Sequence, residues 1–136
     1  MVYLEKSQPP PKSLSDEINK KSGFYRKLDV VERLEQDFRN KCYICEQKAP
    51  TNINIEHFKP YQDDKKLKFD WNNLFLSCAH CNNVKSVNFD NLLNCTVFSD
   101  NVDVALHYKC DSFPKEKVLI KELQKSAKTK QTKELL

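Results

Sequence analysis

The chain has a single glycine, Gly23, among its 136 residues. Phosphate-binding loops and dinucleotide fingerprints need several closely spaced glycines, because a side chain would keep the backbone away from the phosphate. Most nucleotide-dependent enzyme classes are therefore excluded for this chain taken alone. The sequence also lacks a run of about 18 apolar residues, the length needed for a transmembrane helix, and its first residues lack the apolar core of a signal peptide. We expect a cytoplasmic protein that does not associate with membranes.

Positive charge is only slightly in excess: 23 Lys and Arg residues stand against 19 Asp and Glu residues, which gives a net charge of +4. This balance permits a nucleic-acid partner but does not demand one. A chain of this length with 39% apolar residues can bury one modest core. We expect one compact domain, with an arm and a helix over 1–40, a central finger over 41–90 and a C-terminal α/β extension over 91–136.

The first forty residues contain an extended stretch followed by a helical pattern. Three consecutive prolines in "QPPPKS", residues 8–13, exclude a helix there and predict a loosely packed arm. Ser15 is expected to cap a helix that begins after it. Apolar residues then recur in steps of three, three and four, at Leu28, Val31, Leu34 and Phe38. This spacing predicts a helix from about 24 to 40 whose apolar face belongs to the core.

Strand patterns follow further along the chain. Ile53 and Ile55 alternate with polar residues and predict a short strand, and "VDVALHYK", residues 102–109, predicts another. "PKEKVLIKELQKS" is expected to form a helix that begins near Pro114. The residues assigned to the core of the central region are Phe69, Trp71, Leu74 and Leu76.

Six cysteines lie at positions 42, 45, 78, 81, 95 and 110. An even number permits three disulfides, but four of these cysteines form two Cys-x-x-Cys pairs separated by residues 46–77. In a reducing compartment such pairs are typical of zinc ligands, and four thiolates complete a tetrahedral site that leaves no open position for chemistry. The predicted ligands of this structural Zn²⁺ are Cys42, Cys45, Cys78 and Cys81.

Three further residues near these pairs have alternative interpretations. His80 lies inside the second pair and could replace one cysteine as a ligand. Cys95 and Cys110 are interpreted as spare buried thiols outside the zinc site. His107 has no motif around it and is interpreted as a structural or surface residue.

Three motifs lie in and between the cysteine pairs in the order "IEHFKP", "WNNL" and "CAHCNNVK". Over residues 42–85 this succession resembles the HNH endonuclease family, whose fold is the ββα-metal finger. The resemblance implies an α+β protein in which a ββα-metal finger, stapled by the four-cysteine zinc site, is flanked by helices. It also implies an endonuclease that hydrolyses nucleic-acid phosphodiester bonds.

The resemblance assigns roles to four residues of the finger. His57 matches the general base and Asn73 the residue that braces it, while Glu56 and Asn82 match ligands of the catalytic metal. The family commonly has His where Asn82 stands. Two oxygen ligands favour Mg²⁺ or Mn²⁺ over Zn²⁺. The lysines expected to contact the nucleic-acid backbone are Lys59, Lys65, Lys66, Lys68 and Lys85.

Longer stretches of the sequence resemble a narrower group within this family. "KCYICEQK", "FDWNNLFLSCAHCNNVK" and "FPKEKVLI" are similar to HNH proteins of retron and Septu-type bacterial antiphage systems. This likeness implies a protein of antiphage defence that acts beside an ATPase partner. The expected substrate is DNA, and RNA stays open as an alternative, because a finger of this kind contacts backbone phosphates far more than base edges. Two alternatives stay open. One is a non-catalytic zinc-stabilised module that binds nucleic acid or protein, and the other is a subunit that cuts only when a partner holds it.

Overall fold

The computed structural model describes residues 1–110 and 117–136. The helices within these ranges are α1 (Lys12–Glu17), α2 (Leu28–Asp37), α3 (Lys65–Lys68), α4 (Ala79–Lys85), α5 (Val102–Ala105) and α6 (Ala127–Leu135). The strands form two antiparallel pairs, β1 (Ile53–His57) with β2 (Leu74–Cys78), and β3 (Leu106–Lys109) with β4 (Leu119–Glu122). The protein is therefore a mixture of helix and sheet, as predicted. In the described part of the chain, no helix is both long and apolar enough to cross a membrane.

A ββα unit forms the centre of the molecule. β1 and β2 pair with His57 opposite Leu74 and Ile53 opposite Cys78, and α4 packs on both strands. β2 runs directly into α4, because the Cys78 thiol accepts the Cys81 N–H at 3.4 Å and so caps the helix. The helix thus begins inside the second cysteine pair, at Ala79.

The core lies between this unit and α2. Every residue of β2 is buried, because α4 and α2 both contact this strand. The buried face of α2 carries Val30, Leu34 and the following Phe38, whose ring lies 5.4 Å from that of Phe75. The predicted apolar face was therefore partly wrong: Leu28 is 72% exposed, since it opens the helix on the solvent side.

The N-terminal arm is packed against the core rather than loosely attached, so the prediction from its prolines was wrong. Leu4 donates its N–H to the Cys95 carbonyl at 2.8 Å, and the Trp71 indole donates to the Ser7 carbonyl at 3.0 Å. The helix after the prolines begins at Lys12, and Ser15 lies inside it with its hydroxyl bonded to the Lys12 carbonyl. Ser15 is therefore not the cap. The arm's own polar contacts hold it in place.

Residues 18–27 form a loop between α1 and α2 that depends on Gly23. A methyl group on Gly23 would lie 2.0 Å from the Glu17 carbonyl oxygen and 2.9 Å from the Phe69 ring. The loop can therefore approach α1 this closely only because position 23 has no side chain.

Gly23→Ala is expected to lower the free energy of unfolding by about 1–3 kcal/mol, because the backbone must shift to admit the methyl group. Urea denaturation of the two proteins measures this difference. Ser22→Ala, at the exposed neighbouring position, should change stability by less than about 0.5 kcal/mol. Equal urea midpoints for Gly23→Ala and Ser22→Ala would contradict the close packing at position 23.

The C-terminal region differs from the predicted pattern. The predicted strand over 102–109 begins with the helical turn α5 and becomes extended only at β3. Leu119–Glu122 is a strand rather than part of a helix, because its backbone pairs with β3. Pro114, where that helix was expected to begin, lies outside the described residues. The terminal helix α6 is capped by the Ser126 hydroxyl, which accepts the Thr129 N–H at 3.0 Å.

Candidate active site and metal centre

Four cysteine sulfurs converge beside the ββα unit. The turn after α2 is fixed to β2 by the Tyr43 N–H, which donates to the Leu76 carbonyl at 3.0 Å. This contact carries the first cysteine pair to the second, so that the four Sγ atoms all lie within 4.8 Å of one another. The residues brought together are Cys42, Cys45, Cys78 and Cys81.

The spacing of these sulfurs fits one tetrahedral ion. A metal–sulfur bond of about 2.3 Å requires sulfurs about 3.8 Å apart, and Cys45 Sγ lies 3.9 Å from Cys78 Sγ. Burial raises the pKa of the Cys42 thiol to about 11, so binding of an ion there must release a proton. The four cysteines could therefore hold zinc.

The remaining cysteines and histidines lie outside this cluster. The four clustered cysteines and Cys95 form no disulfide, so the three-disulfide alternative does not apply. Cys95 is buried as expected, whereas Cys110 is exposed, which corrects its assignment as a buried thiol. His80 and His107 are both exposed, and among the described residues no other group of three His, Cys, Asp or Glu could hold a metal ion.

A cleft of about 460 Å³ opens where β1 ends against α4. Glu56 and His57 line it from the end of β1, Tyr61 from the loop that follows, and Asn82 from α4. The fold thus brings together three of the residues predicted for catalysis from separate motifs. Asn73 does not line this cleft.

Glu56 is a buried carboxylate with one oxygen bonded and one unbonded. Its Oε1 accepts the Tyr43 hydroxyl at 2.5 Å and pairs with the Lys85 ammonium at 3.0 Å. Its Oε2 is buried and has no hydrogen-bond partner among the described residues. Burial raises the pKa of Glu56, while the Lys85 charge opposes that rise. An unpartnered carboxylate oxygen beside the cleft fits a cation ligand, because a buried oxygen of this kind otherwise bears a desolvation cost.

Lys85 lies beneath the cleft rather than on the surface. Its side chain is 2% exposed, and besides Glu56 its ammonium contacts the His57 carbonyl at 3.2 Å. This placement favours a role in holding Glu56 over the phosphate contact predicted from sequence. No sequence motif indicates that Tyr43 or Lys85 is a partner of Glu56, although Tyr43 lies between the first two cysteines.

The half-buried His57 ring is held in one tautomer. Its Nε2 lies 2.9 Å from the Lys68 carbonyl oxygen. A carbonyl oxygen can only accept, so Nε2 carries the proton and Nδ1 keeps its lone pair. Burial lowers the pKa of His57, so the ring is neutral near pH 7. The free Nδ1 of a neutral imidazole can accept a proton from water.

Two tyrosines flank this ring. The Tyr25 ring centroid lies 4.7 Å from that of His57 and the Tyr61 centroid lies 4.5 Å from it. Tyr25 comes from the loop over residues 18–27, far from His57 in sequence. The sequence motifs had identified neither tyrosine, and no spacing rule connects them with His57.

Asn73 fixes the loop after β1 rather than the histidine ring itself. Its Oδ1 accepts the Lys59 N–H at 2.7 Å, and its Nδ2 donates to the Lys59 and Leu67 carbonyls at 2.9 and 3.1 Å. The Lys68 carbonyl that binds His57 follows directly after this braced segment. The bracing is therefore indirect, through the loop.

Comparison with known proteins agrees with this geometry. Residues 42–87 match the family model described as HNH endonuclease. These residues, the HNH domain, contain β1, β2, α4 and the four clustered cysteines. The chain is also similar to the Septu protein PtuB of Bacillus thuringiensis, at 28% identity over 99 aligned residues that cover 62% of this chain. The chain spans 37% of that relative's length. No solved structure matches this chain.

The lysines near the HNH cleft differ in what they contact. Lys59 and Lys66 are exposed. Lys65 donates to the Lys20 carbonyl at 2.9 Å, and Lys68 contacts the Gly23 carbonyl at 3.4 Å. Tyr25, Lys20 and Gly23 all lie outside the HNH domain. A segment from the N-terminal part of the chain therefore packs beside the cleft and contacts His57 through Tyr25.

Proposed function

We propose that this protein is a metal-dependent endonuclease that hydrolyses DNA phosphodiester bonds at the cleft formed by Glu56, His57 and Asn82. The observation that carries the proposal is that His57, whose Nδ1 is free, lines the same cleft as Glu56, whose buried Oε2 has no hydrogen-bond partner among the described residues. A base and a cation ligand are both required for hydrolysis of a phosphodiester. The match of residues 42–87 to the HNH endonuclease family model supports the same reaction.

In the proposed mechanism, His57 Nδ1 removes a proton from the attacking water. The Lys68 carbonyl keeps the other ring nitrogen protonated, and Tyr25 and Tyr61 restrict rotation of the ring. Glu56 Oε2 and the amide oxygen of Asn82 would hold Mg²⁺ or Mn²⁺. When bound, this cation supplies positive charge to the phosphate and to the leaving 3′ oxygen. Lys85 and Tyr43 keep Glu56 oriented toward the cleft.

The four-cysteine cluster is proposed to hold one structural Zn²⁺. All four coordination positions are then filled by protein, so this ion takes no part in catalysis. The cluster joins the turn after α2 to β2 and α4. β2 pairs with β1, and β1 and α4 carry the cleft residues Glu56, His57 and Asn82. Zinc binding would therefore stabilise the elements around the cleft without placing the ion in the cleft.

The proposed biological setting is antiphage defence with an ATPase partner. The likeness to the Septu protein PtuB supports this setting, and so do the longer stretches of sequence that resemble Septu-type proteins. In this setting the partner would position the nuclease or regulate its cutting. DNA is proposed as the substrate, and its backbone would meet two exposed lysines, Lys66 and the Lys59 that precedes the cleft-lining Pro60.

A non-catalytic zinc module that binds nucleic acid or protein is the second candidate. It is favoured by one observation, the ion pair between Glu56 and Lys85, which partly neutralises the carboxylate without a metal. Such a module needs the cysteine cluster but gives no role to the free Nδ1 of His57. The two candidates differ in whether the purified protein cuts DNA.

Nicking of supercoiled plasmid by purified zinc-loaded protein tests the proposal. Cleavage is expected on addition of Mg²⁺ or Mn²⁺ and is expected to stop with EDTA and resume when excess Mg²⁺ is added back. A zinc assay after the EDTA step shows that loss of cutting is not loss of the fold. No nicking under any metal, alone or with an ATPase encoded beside it, would favour the non-catalytic module.

Asn82 is expected to set the metal preference. Asn82→Ala should lower the cleavage rate, whereas Asn82→His should keep some activity and extend it to softer ions, because nitrogen ligands tolerate Zn²⁺ and Ni²⁺ better than an amide oxygen does. Cleavage rates of each variant with each metal measure this. Asn88→Ala removes an exposed amide that does not line the cleft, and this variant should cut like the wild type. Normal cutting by Asn82→Ala, or activity of the wild type with Zn²⁺ alone, would show that Asn82 is not a ligand.

A further inference from the structure

Residues 18–27 are bound to the catalytic domain by the lysines that the sequence assigned to DNA. Lys65 and Lys68 donate to the Lys20 and Gly23 carbonyls, at 2.9 and 3.4 Å. From the other side, Arg26 donates to the Ile55 carbonyl of β1 at 3.4 Å. Two of the lysines predicted to contact phosphate, Lys65 and Lys68, therefore anchor residues 18–27 instead. This segment carries cationic side chains of its own.

Those cations are not equally available. Glu17 pairs with Lys20 at 2.6 Å and with Lys27 at 3.2 Å, and it also accepts the Phe24 N–H. Lys21 and Arg26 are exposed, and no described carboxylate lies within ion-pair distance of either. Glu17 thus neutralises the inner part of the loop and leaves two uncompensated charges.

Arg26 is held close to the proposed base. Its Nε donates to the Tyr25 hydroxyl at 3.3 Å, and its guanidinium carbon lies 5.5 Å from the Tyr25 ring centroid. The Tyr25 ring in turn contacts His57. A guanidinium carries five N–H donors, and these contacts occupy two of them. The free donors form part of a planar fork suited to phosphate oxygens.

We propose that residues 18–27 form one wall of the DNA interface, in which Arg26 binds a backbone phosphate beside the His57 cleft. The inference rests on the proposed function, and it adds a DNA contact from outside the HNH domain. Lys65 and Lys68 act through this wall, by fixing its backbone, rather than by touching DNA.

The test is binding of a fluorescein-labelled 20-base-pair DNA duplex, followed by anisotropy over a salt series without added divalent cation, so that no hydrolysis occurs. Arg26→Gln is expected to weaken binding about tenfold and to reduce the slope of log K against log salt by about one. Arg39→Gln removes an equal charge from an exposed arginine that does not line the cleft, and should leave both quantities near the wild-type values. Arg26→Lys keeps the charge and should keep the slope.

The inference would be overturned if Arg26→Gln and Arg39→Gln weakened DNA binding equally. It would also be overturned if Arg26→Lys reduced the slope of log K against log salt as much as Arg26→Gln does. Failure of the wild type to bind the duplex would overturn it as well. Binding that depends on Arg26 in a protein that never cuts DNA would support this contact while contradicting the proposed hydrolysis. The two proposals therefore fail separately.

Discussion

Cys42→Ser is expected to unfold the HNH domain and to remove its zinc. Cys42 is fully buried, and its sulfur is one of four that join the turn after α2 to β2 and α4. Structural zinc sites contribute about 10–16 kcal/mol of binding free energy in small fingers, which equals or exceeds the total stability of a typical domain. Far-UV circular dichroism measures the loss of fold, and elemental analysis measures zinc per chain.

Cys95→Ser is the matched control for this experiment. Cys95 is also buried but lies outside the cluster, so its variant should keep one zinc per chain while losing some stability. A wild-type protein that is folded and free of zinc would contradict the structural role of the cluster. So would a Cys42→Ser variant with the zinc content and unfolding curve of the wild type.

His57→Ala is expected to lower the cleavage rate by about 10²–10⁴ while zinc content stays at one ion per chain. Loss of a general base typically costs this much. His57 lines the cleft, and its Nδ1 is free to accept a proton. The variant also loses ring packing against Tyr25 and Tyr61, so its urea midpoint should fall modestly. Single-turnover cleavage with Mg²⁺ separates this loss of rate from weaker DNA binding.

His107→Ala provides the control for a lost imidazole. His107 is exposed on β3, outside the cleft, so this variant should cut at the wild-type rate. A folded His57→Ala protein that cuts as fast as His107→Ala would show that another group acts as the base.

The parts of the site that the sequence predicted all lie within local motifs. A Cys-x-x-Cys pair specifies its own turn, and the adjacent Glu56 and His57 both line the cleft because β1 ends at His57. Asn82 follows the second pair on α4, whose N-cap is Cys78. Adjacent residues constrain each of these features, so no long-range contact was needed to find them.

The supporting residues could not be predicted, because they depend on contacts between distant parts of the chain. Lys85 resembles any solvated lysine in the sequence, and only the packing of α4 on β1 buries it against Glu56. Tyr25 reaches His57 because Gly23 lets its loop approach α1. Leu119–Glu122 became a strand where local spacing favoured a helix, since pairing with β3 overrides propensity in so short a segment.

The most direct test of phosphodiester hydrolysis at this cleft is end-group analysis of plasmid nicked by wild-type protein with Mg²⁺, run beside His57→Ala from a parallel preparation. If His57 activates the water and the 3′ oxygen is the leaving group, the wild-type lane should show 5′-phosphate and 3′-hydroxyl ends. The variant lane should show intact plasmid. Ends that carry a 3′-phosphate, or equal nicking in both lanes, would contradict hydrolysis by this site.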